Sequence, residues 1–118
     1  MYNYFHPEEK YQVWKVVRYH YRHPQALLDI RFFDGEEYRG VFDTAYDSEN
    51  GCDLDIEMDD PRYDEFFQVA FEITEIIKDG PRRYNEFLTV DYRDFPVLIT
   101  NVETDEVVYS AETDPLRK

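Results

Sequence analysis

Two apolar runs on either side of a turn signal constrain this chain more than any other feature. Apolar residues alternate with polar ones over 28–32 and 38–42, and Asp34-Gly35 separates the two runs. Asp-Gly between alternating runs is a strong short-range signal for a β-hairpin. A glycine inside a strand, here Gly40, indicates a bulge or a sharp bend. We therefore predict an antiparallel hairpin whose second strand bends.

The other apolar patterns predict further short strands, with a helix as the alternative in two places. Residues 11–21 are rich in β-branched and aromatic residues, which favours a strand, although Trp14 and Val17 also fit a helical stripe. Residues 66–77 fit both periods, and we prefer a strand from Phe67. Strands are also predicted over 52–59, 86–92, 96–100 and 106–111.

Turn-forming residues separate these strands. His23-Pro24 ends the first segment, because the residue before a proline avoids the helical conformation. Asp79-Gly80-Pro81 is a firm break. We also predict a loop over 44–51, a short helix over 61–66 that starts at Asp60-Pro61, and a frayed tail over 113–118.

Residues 27–54 resemble the first motif of Sm-like proteins. The resemblance implies a small, strongly bent β-barrel, and in that family the Asp and Asn of the motif's loop hold RNA bases. The family's second motif, an Ile-Arg-Gly strand, is absent here, and the surrounding acidity opposes RNA, so we carry over the fold alone. The matching features are the alternation in LLDIRFF, the Asp34-Gly35 turn, Tyr38-x-Gly40-x-Phe42, and Asp47-x-x-Asn50 before Leu54.

A chain of 118 residues fits one domain, 1–118, and can bury a core without disulfides or metal. We therefore predict a mainly β fold (β-rich α+β). Its architecture would be a small, strongly bent antiparallel sheet or an SH3/Sm-like barrel, with room for one short helix.

The negative charge is unevenly distributed along the chain. Residues 1–42 hold as many basic as acidic side chains, so residues 43–118 carry the entire formal net charge of −14. Such a field repels nucleic acid and anionic membranes and attracts basic surfaces. We therefore expect a basic protein partner, with no direct binding to nucleic acid or membrane. The alternative is that the acidity only keeps the protein in solution.

Residues 43–65 are the candidate partner-binding site, because only Arg62 opposes their ten carboxylates. The predicted strand 52–59 would place its acidic residues on one face, with neighbours roughly 6.5 to 7 Å apart. That distance is on the order of the spacing between phosphates in nucleic acid. The row could thus enter a groove lined with Lys and Arg. The candidate residues are Asp43, Asp47, Glu49, Asp53, Asp55, Glu57, Asp59, Asp60, Asp64, Glu65 and Tyr63.

No cofactor is expected, although His20, His23 and Cys52 are candidate zinc ligands. Zinc motifs usually supply two close ligand pairs, and here one His pair accompanies an isolated thiol. Catalytic motifs are lacking as well: Ser48 and Ser110 have no nucleophile-elbow context, and the four glycines form no phosphate-binding loop. We expect no enzyme. A lone cysteine, with no apolar run of membrane length and no signal-type N-terminus, predicts a cytoplasmic protein.

Short, acidic, aromatic-rich chains without catalytic motifs look like phage or mobile-element inhibitors, including anti-CRISPR proteins. That resemblance of type implies an inhibitor that mimics nucleic acid on a nucleic-acid-handling protein. An immunity protein that neutralises a basic nuclease toxin is the first alternative, since it uses the same electrostatics. A zinc-stabilised structural or interaction protein is the second.

Overall fold

The hairpin predicted around Asp34-Gly35 is present in the computed structural model, which describes residues 4–117. Strand β1 (Leu28–Arg31) pairs antiparallel with β2 (Glu37–Glu49). Gly35 has a φ of 95°, in the left-handed region that favours glycine. Leu28 and Ile30 are buried, as the alternation predicted.

Gly40 lies at an irregularity between β2 and the strand that follows it, as predicted from the sequence. The pairing register shifts between Arg39 and Gly40. A Cβ atom at Gly40 would lie 2.4 Å from the backbone oxygen of Glu72, so no larger residue fits without movement. This close approach lets the two longest strands pack where the sheet bends.

The remaining strands complete one seven-stranded antiparallel sheet. Its order is β4-β5-β3-β2-β1-β6-β7. The added strands are β3 (Glu65–Lys78), β4 (Arg83–Tyr84), β5 (Phe87–Val90), β6 (Leu98–Asn101) and β7 (Val107–Ser110). The helices are α1 (Val13–Arg22) and α2 (Gly51–Leu54), with 3-10 turns at Pro7–Lys10, Tyr92–Asp94 and Ala111–Thr113.

The predicted mainly β, β-rich α+β fold is therefore confirmed, and of its two architectures the sheet is the one observed. Within residues 4–117, β4 and β7 are opposite edges and do not pair with each other, so the sheet is open rather than an Sm-like barrel. Closure would require those edges to share a hydrogen-bond ladder. The Sm-like resemblance thus holds only for a local hairpin.

The strand predicted over 11–21 is wrong, because residues 13–22 form α1. Val13, Val16 and Val17 follow the spacing of one helical face, and all three are buried against the sheet. Burial of this face outweighs the strand preference of valine. The helix ends at the predicted place, with His23 as its C-terminal cap.

Three predictions between residues 44 and 66 are also wrong. The segment 44–49, predicted as a loop, continues β2, while 52–59 contains part of α2 and turns rather than a strand. Residues 61–66 form a turn and the start of β3 instead of a helix. The alternating pattern over 52–59 predicted a strand with one buried face. Leu54 and Met58 are 46% and 74% exposed, so this segment has no face in the core.

The later strands agree better with the sequence. Residues 66–77 lie within β3, which ends at Lys78 just before the predicted break. Strands β5 and β7 lie inside the predicted segments and are shorter, and β6 overlaps the predicted segment 96–100 but extends to Asn101. The two-residue β4 was not predicted. In the tail, Asp114 is buried and the Arg117 guanidinium donates to the backbone oxygens of Phe95 and Pro96.

The core lies where α1 covers the sheet, and Phe95 joins it from the connection between β5 and β6. The molecule measures 46 × 32 × 27 Å. No helix among residues 4–117 is long and apolar enough to cross a membrane. The fully buried large side chains of the core include Tyr38, Tyr109, Phe32, Phe71, Phe95, Ile30, Leu88 and Ile99.

Candidate functional site

Nine of the ten predicted carboxylates lie in the distal part of the β2–β3 hairpin, from Asp47 to Glu65, whereas Asp43 lies in the middle of β2. The two strands pair over almost their whole length, ending with Glu49 opposite Glu65. Residues 50–64 connect them, and we call this segment the tip. Asp47 lies on β2 just before the tip, and Asp43 lies at the bulge in the middle of the strand. The fold therefore gathers most of the acidic band at one end of the hairpin, although not on the strand that the sequence predicted.

Asn50 closes the base of the tip. Its side-chain oxygen accepts a hydrogen bond from the Asp64 backbone N–H at 2.8 Å, and its amide nitrogen donates to the Arg62 oxygen at 2.8 Å. Its backbone N–H donates to the Asp64 oxygen at 3.1 Å. Asn50 is buried, so these bonds also satisfy its own polar groups. They hold the two ends of the loop together.

Local hydrogen bonds order the rest of the tip. The Gly51 backbone N–H donates to a Glu49 carboxylate oxygen at 2.6 Å, and Asp55 ends α2 in a left-handed conformation with a φ of 53°. Arg62 donates to Asp60 through its backbone N–H at 2.9 Å and its guanidinium at 3.0 and 3.1 Å. These bonds lower the pKa of Asp60, so it stays ionised while Arg62 is committed to it.

A second set of contacts joins the tip to the N-terminal segment. The Asp64 carboxylate bonds the His6 ring at 2.6 Å and accepts from the Tyr92 hydroxyl, while the His6 and Tyr92 rings stack 3.9 Å apart. Burial and this carboxylate raise the pKa of Tyr92. Glu9, which is fully buried, accepts from the Phe67 backbone N–H at 2.8 Å. Asp64 is therefore a structural carboxylate.

The ten carboxylates thus divide into two groups. Four have partners: Asp60 and Asp64 as above, Glu49 through the Gly51 amide, and Glu65 through the Tyr63 hydroxyl at 3.1 Å. The other six are exposed and form no hydrogen bond or ion pair through their side chains with any residue between 4 and 117. They are Asp43, Asp47, Asp53, Asp55, Glu57 and Asp59.

Apolar side chains lie among these charges. Leu54 and Met58 are exposed at the tip, and Ile56 and Tyr63 are partly exposed beside them. Met58, Ile56 and Tyr63, together with Cys52, line a shallow depression bounded by carboxylates. An apolar centre within a charged rim is the usual composition of a protein-binding surface.

The predicted row of carboxylates with phosphate-like spacing is absent. Asp53 lies in α2, Asp55 follows it in the left-handed conformation, and Glu57 and Asp59 lie in turns. Without an extended strand, the spacing of about two residues per phosphate does not arise. The acidic surface remains, but the structural basis for nucleic-acid mimicry by this row does not.

The candidate zinc ligands occupy separate environments. His20 stacks on Phe42 at 4.0 Å, and its burial lowers its pKa. His23 stacks on Tyr19 at 4.2 Å, and Cys52 is exposed on α2. No group of three or more potential metal ligands occurs in the part of the chain that the structure describes. The side-chain arrangement therefore gives the zinc hypothesis no support.

The sequence prediction missed the residues that shape the tip. Asn50 appeared only as part of the Sm-like motif, yet here it is buried and structural. A strand over 52–59 would place Leu54 and Met58 on the face opposite the carboxylates, but both are exposed at the tip. The available signal was the pair Asn50-Gly51, which favours a turn or helix start over a strand.

Comparison with known proteins identifies the class of the chain. No curated protein matches it, and no solved structure matches it. The family model described as "Cognate immunity protein YxxD" matches residues 12–95, which include α1, the hairpin and the entire tip. The match supports the immunity-protein alternative, whereas the anti-CRISPR and Sm-like resemblances gain no support. Because the match covers more than half of the chain, this protein belongs to the YxxD family of cognate immunity proteins.

Proposed function

We propose that this protein neutralises its cognate toxin by docking the tip onto a basic surface of the toxin, and that the toxin is a nuclease. A cognate immunity protein has a protein partner, the toxin. The observation that carries the proposal is the presence in the ordered tip of four exposed carboxylates without a side-chain partner among residues 4–117, next to exposed apolar side chains. Neutralisation then occurs by binding alone, without a catalytic step.

The order of the tip supports this role. A loop that is already held by Asn50 and by the Asp60–Arg62 pair loses little conformational entropy when it binds. Its charges accelerate the encounter with a positively charged surface. Leu54 and Met58 then supply apolar area that becomes buried on contact. The tip thus provides both the charges that steer the encounter with the toxin and the apolar side chains that anchor the complex.

The negative charge of this protein fits a toxin that is a nuclease. Nucleic-acid-binding clefts are lined with Lys and Arg that neutralise phosphates. A protein whose residues 43–118 carry the entire charge of −14 complements such a cleft and excludes the substrate from it. A toxin acting on a membrane or on a neutral small molecule has no comparable need for a basic groove.

The test uses the cognate toxin of this protein. Purified toxin is incubated with a labelled RNA and a labelled DNA duplex, with increasing amounts of the immunity protein. We expect cleavage of one substrate to stop at equimolar protein, with both chains recovered intact.

Two results contradict the proposal in different ways. A toxin that cleaves neither nucleic acid but is still bound refutes the nuclease assignment alone. Complete inhibition by a protein with the four exposed tip carboxylates Asp53, Asp55, Glu57 and Asp59 neutralised, at unchanged stoichiometry and affinity, refutes docking through the tip.

A further inference from the structure

A second surface carries the opposite charge. Helix α1 contains Lys15, Arg18 and Arg22 and no acidic residue. Their spacing of three and four residues places them on one side of the helix. The valine face of α1 is buried, so this basic side points outward. In a protein with a net charge of −14, a uniformly basic helix face is a local exception.

The basic side of α1 forms one wall of a groove, and strand β7 forms the other. The groove is lined by Lys15, Arg18, Arg22 and His23 from the helix side and by Val107 from the strand. Glu106 is the only acidic residue among the described residues that line it. That carboxylate is already engaged, since it accepts from the Tyr19 hydroxyl at 2.8 Å and lies 3.9 Å from the His23 ring.

Strand β7 is an edge strand. It pairs with β6 on one side, and no strand of the described chain pairs with its other side. Val107 is 59% exposed there. An edge strand with unpaired backbone groups can accept a further strand, and proteins usually protect such edges. Val108 and Tyr109 are only 3% and 1% exposed, so the accessible part of this edge is its start at Val107, where the groove opens.

We propose that this groove binds an extended acidic segment of a second protein, which adds to β7 as an eighth strand. Its backbone hydrogen-bonds to the accessible start of β7 at Val107, and its carboxylates face Lys15 and Arg22. Charge complementarity selects an acidic segment, because the basic side of α1 attracts carboxylates and repels basic surfaces. The tip has the opposite preference. The protein therefore has two docking surfaces of opposite sign, and this proposal does not depend on the proposed function.

The probe is a short fluorescein-labelled peptide of alternating Glu and Val, measured by fluorescence anisotropy at low salt. We expect it to bind, and a Lys-Val peptide of equal length to bind at least tenfold more weakly. A Glu-Val peptide that is N-methylated at alternate residues keeps its charge but cannot form the ladder. We expect it to lose at least tenfold in affinity as well.

Variants locate the site. The double substitution Lys15→Glu and Arg22→Glu lies on exposed positions and is expected to weaken peptide binding at least tenfold. Lys78→Glu changes an exposed charge on β3, away from the groove, and is the control expected to leave binding unchanged. Equal affinity for the N-methylated peptide overturns strand addition. Equal affinity of the double variant, or tighter binding of a single-stranded oligonucleotide than of the peptide, overturns the acidic-segment assignment.

Discussion

Asn50 is the residue on which the conformation of the tip most depends. It joins both ends of the loop through two side-chain hydrogen bonds and one backbone bond. Among short side chains, Asn carries its acceptor and its donor on separate atoms, so it can bond the Asp64 amide and the Arg62 oxygen at the same time. The position therefore links a single side chain to the presentation of the acidic surface.

Replacing Asn50 by Ala should loosen the tip while leaving the sheet folded. The substitution removes the acceptor for the Asp64 N–H and the donor to the Arg62 oxygen, which we expect to cost about 2 kcal/mol. Hydrogen exchange of the Asp64 amide should become faster. Asn50→Asp keeps the acceptor and should preserve more of that protection. An unchanged exchange rate in Asn50→Ala would show that the loop is held elsewhere.

Asp91 is a buried carboxylate whose ionisation is linked to stability. Burial raises its pKa, but hydrogen bonds from Arg93 at 2.8 to 3.0 Å and from Gln68 at 3.0 Å lower it more, leaving it below the ordinary 3.8. A carboxylate with a lowered folded pKa stabilises the fold above its unfolded pKa. That stabilisation disappears as the pH falls through the folded value.

The free energy of unfolding should therefore decrease below about pH 4 in part because of Asp91. Asp91→Asn should cost about 1 to 2 kcal/mol at pH 7 and flatten the pH dependence between pH 5 and pH 2. Urea denaturation across that range measures both effects. Asp59→Asn, at an exposed carboxylate without a partner, is the control and should follow the wild-type curve.

At the scale of elements, the β2–β3 hairpin depends on the close approach at Gly40. Gly40→Ala should destabilise the protein by about 2 to 4 kcal/mol, because its Cβ would meet the Glu72 backbone oxygen at 2.4 Å. The midpoint of urea denaturation should fall accordingly. Thr44→Ala, at an exposed position in the same strand, should change stability by less than about 0.5 kcal/mol. Equal midpoints for the two variants would contradict the packing described here.

The secondary-structure elements differ in how well the sequence predicted them. The Asp34-Gly35 hairpin and the strand over 66–77 follow from local chemistry, so both were predicted correctly. Helix α1 was missed because the sheet buries its valine face, and local preference carries no information about that partner. The alternation at Leu54 and Met58 indicated a strand, but within residues 4–117 these side chains are exposed and no strand packs against them.

The candidate site was predicted in composition but not in conformation. The concentration of carboxylates over 43–65 is a property of the sequence, and the hairpin keeps it together. Which carboxylates are free depends on Arg62, His6 and Tyr92, and two of these lie far away in the sequence. Long-range partners of this kind leave no local pattern.

At the scale of the whole molecule, the long hairpin determines where charge is displayed. Strands of 13 and 14 residues extend about 43 to 46 Å, which is comparable with the longest dimension of 46 Å. The tip thus lies at the end of a rigid paired arm. The basic side of α1 lies on another part of the surface, so the protein presents two fields of opposite sign.

The central claim is that the tip, rather than the overall negative charge, binds the toxin. A matched pair of variants separates the two explanations. One neutralises four exposed tip carboxylates through Asp53→Asn, Asp55→Asn, Glu57→Gln and Asp59→Asn. The other makes the same change in net charge at exposed positions elsewhere, through Glu72→Gln, Glu86→Gln, Glu103→Gln and Glu112→Gln.

The deciding measurement is the dissociation constant of each variant with the cognate toxin, by titration calorimetry at low and high salt. The account predicts that the tip variant binds at least 100-fold more weakly at low salt, on the order of 3 kcal/mol for four interfacial charges. Its affinity should also depend less on salt, whereas the control variant should stay within about threefold of the wild type. Equal losses in the two variants, or no loss in the tip variant, would contradict the account.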